Sequence, residues 1–325
     1  MRDAIASSAL VFGAAALAGC GGCNGDPTGV APTASASAVA SALAASSSAP
    51  APKEPRPPWI GVDGPVAPLQ GMLDPAKKGP YSGPTATLRG TVTITGDAPP
   101  PTTLTFPKEC GQADDVYGTL FRVGKGKALA DALVAVTGFD AFVPARTEAV
   151  EVVIDRCAYD RRTVALALGQ RLDVRSVDKE TSYMPFLDGS EYSAMRVAMP
   201  AGAAVPLSTR KPGQYLLRDA MKRPFMLADV FVLKYATAAV TKIDGTYEIA
   251  GLPLGRVRVD VLLPIIRKTK GKSIELKEGD NVFDLELAFD AKVDKPTPVP
   301  PPEFGTRRQS TVGPPASPPA PSSSN

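Results

Sequence analysis

Short apolar runs separated by turn residues dominate the chain between residues 88 and 287. They are rich in Val, Ile, Leu and Thr, and Gly, Pro or Asp separates them at intervals of about ten residues, which is typical of a β-sandwich. In Arg256–Asp260, valines alternate with charged residues, as in a strand with one buried face. No amphipathic helix is indicated in the same stretch. The sequence therefore predicts an all-β body of short strands.

The absence of histidine excludes several chemistries. Ser-His-Asp and Cys-His catalysis, His-anchored copper or zinc sites, and pH switching through imidazole all need that side chain. The charges are mixed, with 36 Lys and Arg against 33 Asp and Glu, and the net charge is only +3. A nucleic-acid partner is therefore not indicated.

Proline is concentrated at the two ends of the chain. Twelve of the 34 prolines lie between Pro27 and Pro84, and ten lie between Pro296 and Pro321. Segments rich in Pro, Ser and Ala bury little apolar surface and stay disordered. We therefore expect a globular middle with a disordered flank on each side. Trp59–Tyr81 is less extreme in composition, and packing against the body is the alternative for that segment.

The N-terminus is similar to a bacterial lipoprotein signal. An apolar stretch of thirteen residues, Ala4–Ala16, is too short for a span of about twenty residues but suits a signal peptide. Leu17–Cys20 then resembles a lipobox, which implies cleavage before Cys20 and lipidation of its thiol. Gly21 after the cysteine favours an outer-membrane lipoprotein facing the periplasm or the cell surface. An ordinary signal peptide and a cytoplasmic chain are the alternatives.

Several motifs between Ala86 and Leu233 resemble bacterial plastocyanin-like (cupredoxin) proteins. The segment Asp155–Asp178 resembles their run of a cysteine, an aromatic residue, a Gly-Gln turn and a strand. Lys211–Tyr215 resembles their Pro-Gly turn, and Arg223–Met226 resembles their His-Pro-Trp-Met signature. The resemblance implies a cupredoxin-like β-sandwich.

The positions that hold copper in that family are altered in this chain. Ser182 stands where the first copper-binding histidine is expected, Ala220 replaces the cysteine and Arg223 replaces the second histidine. Only the weak axial ligand, Met226, remains. Type 1 copper needs a thiolate and two imidazoles, so we expect no metal and no cofactor here.

The segment from Tyr235 to Leu287 resembles a second family, the carboxypeptidase regulatory-like module, which is a small transthyretin-type β-sandwich. Thr241–Ile249 matches its Asp-Gly-x-Tyr-x-Ile pattern, and Asp244-Gly245 predicts a tight turn. In most contexts this module is a non-catalytic spacer or adhesion unit, so the resemblance adds no reaction.

The expected organisation has five parts. They are a signal peptide over 1–19, a tether over 20–85, a degenerate cupredoxin-like domain over 86–234, a regulatory-like domain over 235–290, and a disordered tail over 291–325. Gly90–Gly96 and Leu129–Gly138 also resemble the first strands of the regulatory-like module. An inserted cupredoxin-like part is therefore the alternative to two consecutive domains.

Cys110 and Cys157 are expected to form a disulfide, because exported proteins favour one. In the chain-entropy model, closing that loop contributes about 4 kcal/mol. Two free buried thiols and a two-cysteine metal site are the alternatives. Cys23 would remain unpaired.

The function predicted from these features is that of a non-catalytic envelope lipoprotein acting as a binding or structural module. Its partners would be the membrane, through lipidated Cys20, and an unidentified envelope protein or polysaccharide. The alternative is Cu(I) handling by thioethers, which suit that ion; the candidates are Met184, Met195, Met199, Met221 and Met226. A hydrolase using carboxylates has no supporting motif.

The basic run Arg267–Lys272 is expected in a solvated hairpin loop, with anionic lipid or surface polysaccharide contact as the alternative.

Overall fold

The structure is a computed structural model that describes residues 56–191, 196–221 and 223–302. Its strands are β1 (Thr85–Gly96), β2 (Leu133–Thr137), β3 (Ala149–Asp155), β4 (Ala158–Tyr159), β5 (Thr163–Ala167), β6 (Arg171–Ser176), β7 (Pro185–Asp188), β8 (Val205–Leu207), β9 (Gly213–Asp219), β10 (Leu227–Leu233), β11 (Ala238–Val240), β12 (Thr246–Pro253), β13 (Gly255–Leu263), β14 (Lys268–Leu276), β15 (Gly279–Val282) and β16 (Leu285–Phe289). The α-helices are α1 (Ala67–Leu73) and α2 (Ala113–Tyr117).

The predicted all-β class is confirmed, and the strands form two β-sandwiches. We call the sandwich of β1, β2 and β11–β16 the outer sandwich, and that of β3–β10 the inserted sandwich. Each consists of two four-stranded sheets and has its own hydrophobic core. Within the described residues, neither helix has the length and apolar character needed to cross a bilayer.

Strand β1 organises the outer sandwich. One edge pairs antiparallel with β12, and the other edge pairs in parallel with β15 and then with β16. Gly90 lies where β15 gives way to β16, and a Cβ there would lie 2.0 Å from the carbonyl oxygen of Phe283. Only glycine permits that approach. Alternate residues of β1, such as Leu88 and Val92, are fully buried against the second sheet, β11-β2-β13-β14.

The inserted sandwich packs the sheet β5-β10-β9-β7 against the sheet β4-β3-β6-β8. Its core contains alternating residues of both sheets, including Val152 and Ile154 of β3 and Val230 and Val232 of β10. Alternation of this kind follows from the two-residue period of a strand. The short-strand pattern of the sequence therefore corresponds to two separate cores.

The two cores are not consecutive along the chain. β1 belongs to the range 86–234 expected for the first domain, yet it pairs with β12 and β16 from the range 235–290. The boundary at residue 234 therefore does not separate the cores. The chain leaves the outer sandwich after β2 and returns to it at β11, which is the inserted arrangement that the sequence left open.

Both expected flanks extend less far than predicted. In the range assigned to the tether, Ile60, Val62 and Leu69 are buried in the core of the inserted sandwich, because this segment has apolar residues to bury despite its prolines. Residues 291–302 of the expected disordered tail also make specific contacts, including a bond from the Thr297 amide to the Ile265 carbonyl at 2.6 Å.

Two local predictions have different outcomes. Gly245 adopts a φ of +74° after Asp244, and the Asp244 carboxylate accepts a hydrogen bond from the Thr246 amide at 3.0 Å, so the predicted turn is confirmed. The basic run is not a loop, since Lys268–Lys272 lies in β14 and pairs with β13. Lysines can form part of this strand because the backbone makes the ladder bonds to β13 while the charged side-chain ends remain in solvent.

The carboxylate of Asp131 joins the two sandwiches. It accepts two hydrogen bonds of 2.7 Å from Arg122, which follows Phe121 of the outer core, and one of 2.8 Å from the backbone amide of Arg162, just before β5. Asp131 is only 4% exposed. A buried carboxylate requires such partners, so this pairing fixes where the inserted sandwich meets the outer one.

We predict that Asp131→Asn lowers the free energy of unfolding by about 3 kcal/mol, because it leaves Arg122 without its buried counter-charge. Asparagine also tolerates the positive φ of 60° at this position, so backbone strain does not confuse the result. Urea denaturation measures the change.

Asp280→Asn is the matched control, since Asp280 pairs with Arg89 at the surface and is 62% exposed. Its expected effect is below about 1 kcal/mol. Equal small losses in both variants would contradict the role assigned to Asp131.

Candidate functional site

Three of the four altered copper-site positions meet at one end of the inserted sandwich. Ala220, Arg223 and Met226 line a cavity of about 240 Å³ together with Asp219 and Pro302. Ser182 does not line this cavity, but it directly precedes Tyr183, whose ring contacts Arg223. We call this cavity and Tyr183 the loop-end site.

The strand pairing of β7 with β9 positions the loop-end site. Pro185 lies opposite Asp219 at the end of that ladder. Just beyond it, the Met184 amide donates to Asp219 Oδ1 at 2.7 Å, and the Ala220 amide donates to the Met184 carbonyl at 3.0 Å. A turn then returns the chain to β10, with the Met226 amide donating to the Arg223 carbonyl at 3.0 Å.

The guanidinium of Arg223 holds the centre of the loop-end site. Its Nη1 donates to Asp219 Oδ2 at 2.8 Å, and its central carbon lies 4.6 Å from the centroid of the Tyr183 ring. The Asp219 side chain is completely buried, while that of Arg223 is 19% exposed. The carboxylate thus has its counter-charge, and the ring face adds a cation–π attraction.

Tyr183 links the loop-end site to the disulfide. Its ring is fully buried, its hydroxyl donates to the Asp178 carboxylate, and the same oxygen accepts a bond of 2.9 Å from the Cys157 amide. Cys157 is disulfide-bonded to Cys110. Burial, followed by donation to Asp178, raises the pKa of Tyr183 well above that of a free tyrosine, so the hydroxyl remains a donor at neutral pH.

The methionines considered for Cu(I) lie in different environments. Met226 is fully buried in the core of the inserted sandwich, whereas Met221 and Met199 are 41% and 57% exposed. Met195 lies outside the described residues. A thioether that fills a core behaves as an apolar packing group.

The residues of the loop-end site do not fit a type 1 copper ion. Such a site requires a thiolate and two imidazoles, while positions 220 and 223 present a methyl group and a guanidinium. Arginine stays protonated and has no lone pair to offer a metal. Across the described residues, no group of three or more Asp, Glu, Cys or His side chains is placed to hold a metal ion.

Asp219 is a site residue that the sequence motifs do not indicate. It lies four positions before Arg223, and a carboxylate at that spacing from an arginine is a recognisable signal for an ion pair. That spacing is informative only on a helix, however, and here a turn after β9 brings the two side chains together. Cys20, the predicted lipidation site, lies outside the described residues.

We predict that Arg223→Ala lowers the free energy of unfolding by about 3 kcal/mol, because it strands the buried Asp219 carboxylate and uncovers the Tyr183 ring. Arg258→Ala is the control, since the pair of Arg258 with Asp260 is exposed, and its cost should stay below about 1 kcal/mol. Chemical denaturation compares the two; similar costs would show that the loop-end ion pair has no special structural role.

Comparisons with known proteins give only a weak likeness. No family model matches the chain, and no curated protein matches it. Among solved structures, a reduced amicyanin mutant is 18% identical over 26% of this chain and 81% of that chain, with a TM-score of 0.23. A second reduced amicyanin mutant gives 21% identity over 26% and 82%, also with a TM-score of 0.23.

The copper-containing nitrite reductase of Thermus scotoductus SA-01 is 15% identical over 30% of this chain, with a TM-score of 0.23. The match covers only 24% of the reductase. The similarity to cupredoxins is therefore weak and limited to a small part of the chain.

Proposed function

We propose that this chain is a membrane-anchored, non-catalytic lipoprotein of the cell envelope that acts as a binding or structural module. In this proposal the inserted sandwich is a cupredoxin-type scaffold whose copper site has been replaced by the ion pair of Arg223 and Asp219. The outer sandwich presents it as a rigid support.

The observation that carries the proposal is that Arg223 contacts both Asp219 and Tyr183 at the position of a missing copper ligand. A lost metal site could have left its charged groups unpaired, but in this cavity the guanidinium lies on the Tyr183 ring and bonds to Asp219. An arginine fixed in this way stabilises the loop end by itself, as a metal ion does in a metalloprotein. Position 223 would therefore stabilise the loop end and would not bind a metal for electron transfer.

The polar groups of the loop-end site are bonded to one another. Asp219 Oδ1 accepts a hydrogen bond from the Met184 amide, and Oδ2 accepts one from Arg223. The Tyr183 hydroxyl donates to the Asp178 carboxylate and accepts from the Cys157 amide. A general acid or base needs a proton position within reach of a substrate and a pKa near the working pH. The Tyr183 hydroxyl is protonated at neutral pH and already bonds to Asp178 and Cys157, so it is not placed to take a proton from a substrate, which supports a non-catalytic role.

Membrane attachment rests on the sequence. The lipobox-like Leu17–Cys20 would give a lipidated cysteine, and several acyl chains on one residue anchor a protein stably. The 35 residues from 21 to 55 separate that cysteine from the described body. At full extension they would reach at most about 120 Å, so the body can contact partners well away from the bilayer.

If the copper site is lost, the full chain should show no blue charge-transfer absorption and no tight Cu(II) uptake. The measurement uses the Cys20→Ser variant, which keeps the protein soluble. The combined variant Ser182→His, Ala220→Cys and Arg223→His should gain Cu(II) binding by at least about tenfold, because it supplies the missing ligands and removes a permanent cation. Equilibrium dialysis with metal analysis and visible spectroscopy measure both.

Stoichiometric, submicromolar Cu(II) binding by the chain with its native loop end would refute the metal-free proposal. Failure of the folded triple variant to gain any affinity would show that these positions do not form a ligand set. Circular dichroism establishes that the variant is folded.

If Cys20 is lipidated, the chain expressed in a Gram-negative host should incorporate labelled palmitate and sediment with membranes. Cys20→Ser should abolish both, while Cys23→Ser, three residues away, should leave both unchanged. Label retained in Cys20→Ser would rule out the proposed lipidation site.

A further inference from the structure

A large groove separates the two sandwiches. It has a volume of about 970 Å³, and its walls include Tyr117, Phe121, Tyr215 and Phe225 together with Ile265 of the outer sandwich. The remaining wall is the segment 296–302, with the sequence Pro-Thr-Pro-Val-Pro-Pro-Pro. We call this segment the proline strap.

The proline strap is attached at successive points along the groove. Before it, Asp294 forms an ion pair of 2.8 Å with Lys268 on β14. The Thr297 amide then donates to the Ile265 carbonyl at 2.6 Å, and the Pro300 carbonyl accepts a hydrogen bond from Nη2 of Arg218. Pro302 finally lines the loop-end site, so the strap crosses from the outer to the inserted sandwich.

Arg218 is held in place for this contact. Its side chain is 8% exposed, and its Nε lies 2.7 Å from a carboxylate oxygen of Asp188, which is 7% exposed. The pairing fixes the planar guanidinium and directs another N–H towards the strap. Because proline has no N–H, a donor aimed at its carbonyl is the polar contact that recognises such a segment.

The strap is conformationally restricted before it binds. Every residue from Pro296 to Pro302 is a proline or directly precedes one. Proline fixes its own φ and keeps the preceding residue out of the α region, so the segment favours an extended polyproline conformation. Ordering it on the groove therefore costs little conformational entropy.

We propose that this groove is a binding site for proline-rich peptide and that the strap is its ligand within the same chain. Aromatic-lined grooves with donors for backbone carbonyls are a recurring means of recognising extended proline-rich segments. The strap lies along the groove as part of its wall, and a free peptide with the same pattern would compete for the contacts that the strap makes with Ile265 and Arg218. This inference does not depend on the proposed function.

The test uses a fluorescent peptide with the sequence of residues 294–304. It is titrated against the full chain and against a chain ending at Asp294, both carrying Cys20→Ser. The shortened chain should bind at least about tenfold more tightly, because the tethered strap competes in the full chain at millimolar effective concentration. Equal affinities, or no binding to the shortened chain, would overturn the proposal.

Two controls separate recognition from loss of folding. A peptide with Pro298→Gly and Pro300→Gly keeps the length but loses the restricted conformation, and it should bind the shortened chain several-fold more weakly. Arg218→Lys retains a positive charge beside Asp188 but not the planar fork, and it should weaken binding similarly. Unchanged affinity in both would contradict the assigned contacts.

Amide hydrogen exchange in the full chain gives an independent readout even if the shortened chain does not fold. The Thr297 amide should exchange at least about tenfold more slowly than in the free peptide. Exchange at the rate of the free peptide would mean that the strap is not bound along the groove.

Discussion

The pairing of Asp131 with Arg122 and with the amide of Arg162 is the contact on which the architecture depends. A sandwich inserted between β2 and β11 is connected to its host at both ends, and it needs a fixed contact beside those connections to hold an orientation. The Asp131 carboxylate, which is 4% exposed, supplies this contact. Breaking its ion pair with Arg122 would leave a buried charge without a partner. The groove has Asp131 and Arg162 among its lining residues, so the same contact forms part of its wall.

Insertion also explains how one end of the chain reaches the other sandwich. β16 is the last strand of the outer sandwich, and the chain emerges from it beside β14. From there a short proline-rich segment is enough to cross the groove and reach the loop-end site. The strap thus contacts the outer sandwich at Ile265 and lines the loop-end site at Pro302.

The extent to which the sequence predicted this structure depends on the range of the interactions involved. Strand content and the Asp244-Gly245 turn were predictable because alternation and positive φ are local properties. The pairing of β1 with β12 and β16 is indicated only by the resemblance of Gly90–Gly96 to the regulatory-like module, because residue 88 and residue 249 carry no local sign of being neighbours. The sequence predicts a loop for the basic run because the run lacks alternating apolar residues, and its composition does not show that β13 pairs with Lys268–Lys272.

The loop-end site shows the same limit. Motif comparison located Ala220, Arg223 and Met226, and these do line one cavity. It described them only by what they lack, and the compensating contacts with Asp219 and Tyr183 depend on tertiary packing. Composition predicts a disordered tail over the proline strap, because it does not reveal that Arg218 donates a hydrogen bond to the Pro300 carbonyl.

The central claim is that Arg223, and not a metal, holds the loop end together. A crystal structure of the protein grown with Cu(II), with anomalous data collected at the copper edge, tests this most directly. The account predicts no anomalous peak at the loop-end site and a guanidinium still packed on the Tyr183 ring. A peak beside Met226, with Arg223 displaced from Asp219, would contradict it.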